Sequence, residues 1–134
     1  MSITDFLKNV NAILKKSSEY TPEILKFLKE FYGETPKVYE IMAKYNQDVV
    51  LAQFIKNQSI IKENKSKLPL KMKELIALSA AVALGCEYCQ EVHMKAALQV
   101  GATKDQIFET ILISSMIAES SKMAVSLREL EKIK

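Results

Sequence analysis

Apolar residues recur at three- and four-residue intervals along most of the chain, the spacing that gathers them on one face of an α-helix. Phe6, Leu7, Val10, Ile13 and Leu14 form the first stripe, which Thr4 and Asp5 are suited to open and which ends near Lys16. Ile24, Leu25, Phe27, Leu28 and Phe31 form the second; Thr21 before Pro22 predicts its start and Gly33 its stop. Thr35 and Pro36 repeat that start signal for a shorter helix carrying Val38, Ile41 and Met42 to about Tyr45, with a break at Asn46. A fourth helix follows from Asp48 through Ile61, and the polar stretch ENKSK at 63–67 is the one predicted internal hinge.

From Pro69 the pattern changes. The segment KMKELIALSAAVALG is apolar around most of its circumference after Glu74, which predicts a helix buried on several sides. Ala77, Ser79, Ala80, Ala81 and Ala83 would let neighbouring helices approach closely, and Gly85 permits a chain reversal before Cys86. The next helix starts near Cys86 and ends at Gly101. Thr103 and Gln106 then form a capping-box pattern for a last helix whose apolar residues Ile107, Phe108, Ile111, Leu112, Ile113, Met116 and Ile117 cover more than one face.

Composition narrows the class. With 134 residues, 49% of them hydrophobic, and only three glycines and three prolines, the chain has too few turn formers for a sandwich of short strands. It reads as an all-α helical bundle, a single domain over 1–134. The methionines sit mostly among apolar helical positions and, like Phe27, Phe31, Phe54 and Phe108, read as core filling. A net charge of +3 is spread thinly, as at Lys15 and Lys16 or Lys71 and Lys73, without an aromatic-basic stripe, so no nucleic-acid partner is expected. The longest uncharged run, Leu75 to Cys86, is well short of the roughly 20 residues of a membrane span. MSITDFLKNV does not resemble a signal peptide, and the expected location is the cytoplasm. Two cysteines in CxxC spacing within a reducing compartment point to redox or metal chemistry rather than a permanent staple.

Cys86, Cys89 and His93 stand at i, i+3 and i+7, close to one helical face. The two sulfurs are within reach of a reversible disulfide. The positive end of a helix favours a thiolate, and an imidazole one turn away can accept a thiol proton; Glu87 and Glu91 act against the thiolate. Two other readings compete. The pair and the histidine could simply fill a helix interface, or two thiolates and one imidazole could hold zinc, with Glu74 or water as fourth ligand.

The constellation resembles the alkylhydroperoxidase D-like branch of the carboxymuconolactone decarboxylase superfamily. In that branch eleven residues separate a Glu from a CxxC, and a His follows after three more residues. Glu74, Cys86, Cys89 and His93 meet this spacing, and GATKDQIFETI looks like the connecting turn and next helix. The resemblance spans 69 to about 120; residues 1–60 share only helical character. It implies that Cys89 attacks a hydroperoxide, Cys86 is its disulfide partner, and His93 and Glu74 form a proton relay. It further implies closed trimers or hexamers; regeneration by an unidentified dithiol is expected, with no cofactor or metal. One departure stands out: alkylhydroperoxidase D proper has a second histidine just before the second cysteine, where this chain has Tyr88, a possible auxiliary group. The decarboxylase branch does not work through a CxxC.

Overall fold

A computed structural model describes residues 1–61 and 66–134, so most of the expected hinge, 63–65, lies outside the described residues. Seven helices follow one another: α1 (Ile3–Leu14), α2 (Ser17–Tyr32), α3 (Lys37–Tyr45), α4 (Gln47–Ile61), α5 (Leu70–Leu84), α6 (Glu87–Gln99) and α7 (Lys104–Leu130). They fall into two compact units, 1–66 and 67–134. No strand occurs among the described residues.

In the first unit α2 and α3 pack on α4. Ile24, Leu28, Tyr39, Val50 and Leu51 are buried together, flanked by Leu14, Leu25, Tyr32, Met42, Ala43 and Phe54. Phe27 meets Phe54 edge to face. Two start signals fall elsewhere than the sequence suggests. The cap of α1 is Ser2, whose hydroxyl accepts the Asp5 amide while the Asp5 carboxylate accepts the Ser2 amide, so Asp5 is the third helical residue and Thr4 lies inside. The second helix begins at Ser17, four residues before Thr21, and Pro22 lies within it. What holds this extra turn is tertiary: Ser17 is buried and its hydroxyl donates to Asp48 of α4 at 2.6 Å, while Thr21 donates to the Ser17 carbonyl at 2.7 Å. Pro36 caps α3 from just outside it, and the break at Asn46 is an extended residue whose side chain accepts the Asp48 amide.

In the second unit α6 and α7 both pack on α5. Leu78, Ala97, Ala102 and Ile107 form its buried cluster, with Leu75, Val82, Met94 and Ile111 around them. The small side chains have the predicted effect: Ser114 of α7 donates to the Ser79 carbonyl of α5 at 2.6 Å, an approach that a larger residue at 79 would hinder. Gly85 ends α5 in the left-handed region (φ 69°), where an L-residue would be strained. Thr103 and Gln106 form both bonds of their capping box. The expectation that α5 is buried on several sides is not met within one chain. Glu74, Leu78 and Ala81 are buried on one side, whereas Met72, Ile76 and Leu84 are exposed, because α6 and α7 together cover only part of its circumference.

Candidate functional site

The turn from α5 to α6 builds the site. The Cys86 amide donates to the Ala81 carbonyl and closes the end of α5. The same residue is the N-cap of α6: its backbone is extended, and its sulfur accepts the Cys89 amide at 3.3 Å. Cys86 is therefore tied to the helix behind it by its main chain and to the helix ahead by its side chain. Cys89 stands in the first turn of α6, and a disulfide joins it to Cys86, with Cα atoms 5.3 Å apart. No group of three or more His, Cys, Asp or Glu side chains suited to a metal ion occurs among the described residues.

One turn beyond Cys89, His93 meets Glu74 of α5, with Nδ1 to Oε2 at 2.8 Å. The glutamate side chain is 2% exposed and the imidazole 26% exposed, so the carboxyl sits inside and the ring stands between it and solvent. A carboxyl is costly to bury unless it is hydrogen-bonded, and the imidazole supplies that bond. An ionised carboxylate only accepts, so the proton in this contact then belongs to Nδ1. The structure thus brings the sequence-selected residues together as two linked pairs, Cys86 with Cys89 and Glu74 with His93. Tyr88 lies half-buried between the two cysteines in sequence.

Two features were not selected from sequence. One is the capping role of Cys86, since cysteine is not among the usual capping residues. The other is an open cleft of about 520 Å³ between the end of α5 and α7. It is lined by Val82 to Gly85 on one side and by Ser115, Ala118, Glu119, Lys122 and Met123 on the other. Gly85 on its wall immediately precedes Cys86.

The chain is similar to several curated proteins over short segments. An alkyl hydroperoxide reductase AhpD from Corynebacterium kroppenstedtii is 37% identical over 54 residues, 40% of this chain and 31% of that protein. An uncharacterised protein of Cupriavidus necator is 43% identical over 47 residues, 35% of this chain and 42% of its own length. A further uncharacterised protein, encoded in the cox locus of Paracoccus denitrificans, is 40% identical over 48 residues, 36% of this chain and 43% of its own. The chain thus spans well under half the length of each of these relatives. No solved structure matches it. The family model of the carboxymuconolactone decarboxylase family matches residues 36–132, from the start of α3 to beyond the end of α7, and the chain belongs to that family.

Proposed function

We propose that the chain is a thiol-dependent peroxidase of the alkylhydroperoxidase D-like type, reducing hydroperoxides through Cys89 and Cys86. The observation that carries this reading is the disulfide in the first turn of α6 with a Glu74-supported imidazole one turn further on. In the reduced protein His93 accepts the Cys89 proton through Nε2 as the sulfur attacks a peroxide oxygen. The S–O bond forms, the O–O bond breaks, and the proton returns to the departing alkoxide or hydroxide. Cys89 is left as a sulfenic acid, and Cys86 attacks it, expelling water and forming the disulfide. An external dithiol then restores both thiols and leaves as its own disulfide. Glu74 acts through His93, keeping the ring oriented and its proton on Nδ1. The similarity to an alkyl hydroperoxide reductase supports this choice over lactone decarboxylation.

In this reading the protein serves an antioxidant role in the cytoplasm; no helix among the described residues is long and apolar enough to cross a membrane. In the same reading residues 1–134 form one family domain, which the family match supports in beginning within the first unit and running through the second. The chains assemble into trimers or hexamers. Met72, Ile76 and Leu84 of α5 and Ile113, Met116 and Ile117 of α7 are exposed apolar side chains that a further copy would cover. A sedimentation experiment showing a stable monomer at micromolar concentration overturns the assembly.

The deciding experiment follows thiols against stoichiometric hydroperoxide in the reduced protein. The wild type loses two thiols per peroxide. Cys86→Ser turns over once and accumulates a sulfenic acid on Cys89, and Cys89→Ser does not react. Disulfide exchange without peroxide reaction would leave a general disulfide reductase or a redox sensor. Lactone turnover surviving Cys89→Ser would restore the decarboxylase reading, and stoichiometric zinc in protein purified without chelators would favour a metal site.

A further inference from the structure

The two sulfurs of the disulfide are not equivalent. Cys86 is held at both ends, its amide closing α5 on the Ala81 carbonyl and its sulfur receiving the Cys89 amide at the start of α6. The hydrogen bond donated to the pair is thus aimed at Cys86, at the helix end where partial positive charge collects. Cys89 belongs to the helix body, and its side chain can turn about χ1 once the S–S bond is broken.

From this asymmetry we infer that the disulfide opens in one direction: an incoming thiolate attacks the sulfur of Cys89, and Cys86 leaves as the thiolate. The inference rests on the reading that the pair cycles by thiol-disulfide exchange. In the step, a reductant thiolate forms an S–S bond to Cys89 Sγ while the Cys86–Cys89 bond breaks and its electron pair passes to Cys86 Sγ. That sulfur already receives an N–H, so the new charge appears where a donor is waiting. The second thiol of a dithiol, having lost its proton, then attacks its own partner sulfur in the mixed disulfide and releases the Cys89 thiolate. The two protons of the dithiol end on the two cysteines, and the dithiol departs as a cyclic disulfide. Attack at Cys86 instead would place the developing charge on Cys89 and require the capping sulfur to move.

A less basic thiolate leaves faster, which fits Cys86 as the group expelled when the disulfide opens. Several charges surround the pair. Glu87 and Glu91 lie on α6, the Glu74–His93 pair joins α6 to α5, and Glu119 and Lys122 of α7 line the cleft with Gly85. The acidic neighbours on α6 disfavour both thiolates, His93 serves Cys89 as a proton acceptor, and the Cys89 amide is directed at the sulfur of Cys86.

The test uses the oxidised full-length protein with excess 2-mercaptoethanol, quenched in acid at short times and digested with pepsin. Tandem mass spectrometry then locates the mixed disulfide. The expected adduct is on Cys89 with Cys86 free. An adduct on Cys86, or an equal division between the two, overturns the inference. A second readout is iodoacetamide alkylation against pH in the two single variants. Cys86 in Cys89→Ser should reach half its full rate at a lower pH than Cys89 in Cys86→Ser, and coincident or reversed profiles reject the assignment. Neither readout involves peroxide. If the adduct forms on Cys89 in a protein that does not consume hydroperoxide, the direction of opening stands and the peroxidase reading falls.

Discussion

The two compact units solve the problem of packing helices with different residues. In the first, the buried cluster is built from bulky side chains, Ile24, Leu28, Tyr39 and Leu51, with Phe27, Phe31, Tyr32 and Phe54 in ring contact around it. Its polar groups tie helix to helix, as Ser17 does with Asp48 and Tyr39 with Asn57. In the second, the buried apolar residues are the alanines Ala81, Ala96, Ala97 and Ala102 together with Leu78, Val92 and Ile107. Large side chains supply more buried apolar area per residue and hence more stability. Small ones let backbones come close, and in this unit Glu74 and His93, from neighbouring helices, meet at 2.8 Å. The contrast is between a unit packed for bulk and a unit packed for proximity.

The largest effect should come from breaking the buried pair of the second unit. His93→Ala leaves the Glu74 carboxyl inside without its imidazole, and removing one partner of such a pair costs about 3 kcal/mol. Denaturant unfolding of His93→Ala, Glu74→Gln and the double variant measures it. Additive losses would mean that the two side chains do not support each other. In the first unit Leu28→Ala should cost a similar or slightly smaller amount, about 2 to 3 kcal/mol, because it opens a cavity among bulky neighbours. The folded fraction should keep its full rate of Cys89 alkylation after reduction, and a slowed rate would show that bulk in the first unit also shapes the thiol site.

Thr103→Ala sharpens the comparison at a helix start. It removes a capping box that helps to set α7 against α5, and about 1 kcal/mol should be lost by the same unfolding measurement. The smallest effect is alkaline and belongs to the first unit. Burial pushes the Tyr39 phenol above its usual value, only partly offset by the hydrogen bond from Asn57. The folded unit therefore holds this proton to higher pH than the unfolded chain does. The contribution is fully present below the unfolded value of about 10 and is lost as pH rises through the folded one. Urea midpoints between pH 8 and 11 should fall for the wild type and fall less for Tyr39→Phe; parallel curves would remove Tyr39 as the cause.

Much of this organisation was legible in the residues. Helix stops at Gly33, Gly85 and Gly101 lie where a positive φ makes glycine the residue of least strain. The break at Asn46 and the capping box of Thr103 and Gln106 were equally plain, since they rest on contacts between residues close in sequence. The start of α2 was not. Thr21 and Pro22 are a good local start signal, but Asp48, distant in the chain, holds Ser17 and extends the helix backwards. The degree to which α5 is covered was hidden for a similar reason: periodicity shows that its circumference is apolar, not which neighbours lie against it.

The candidate site divides along the same line. Spacing alone put Cys86, Cys89 and His93 on one side of a single helix, and the resemblance added Glu74 from the helix before. Helical geometry repeats every few residues, so a sequence by itself determines which side chains share a face and where glycine must end a turn. Only the tertiary structure decided that Glu74 is buried against His93 and that Cys86 both closes one helix and caps the next. Those facts depend on how closely two helices approach and on which backbone amide points at which sulfur, distances that no periodicity contains.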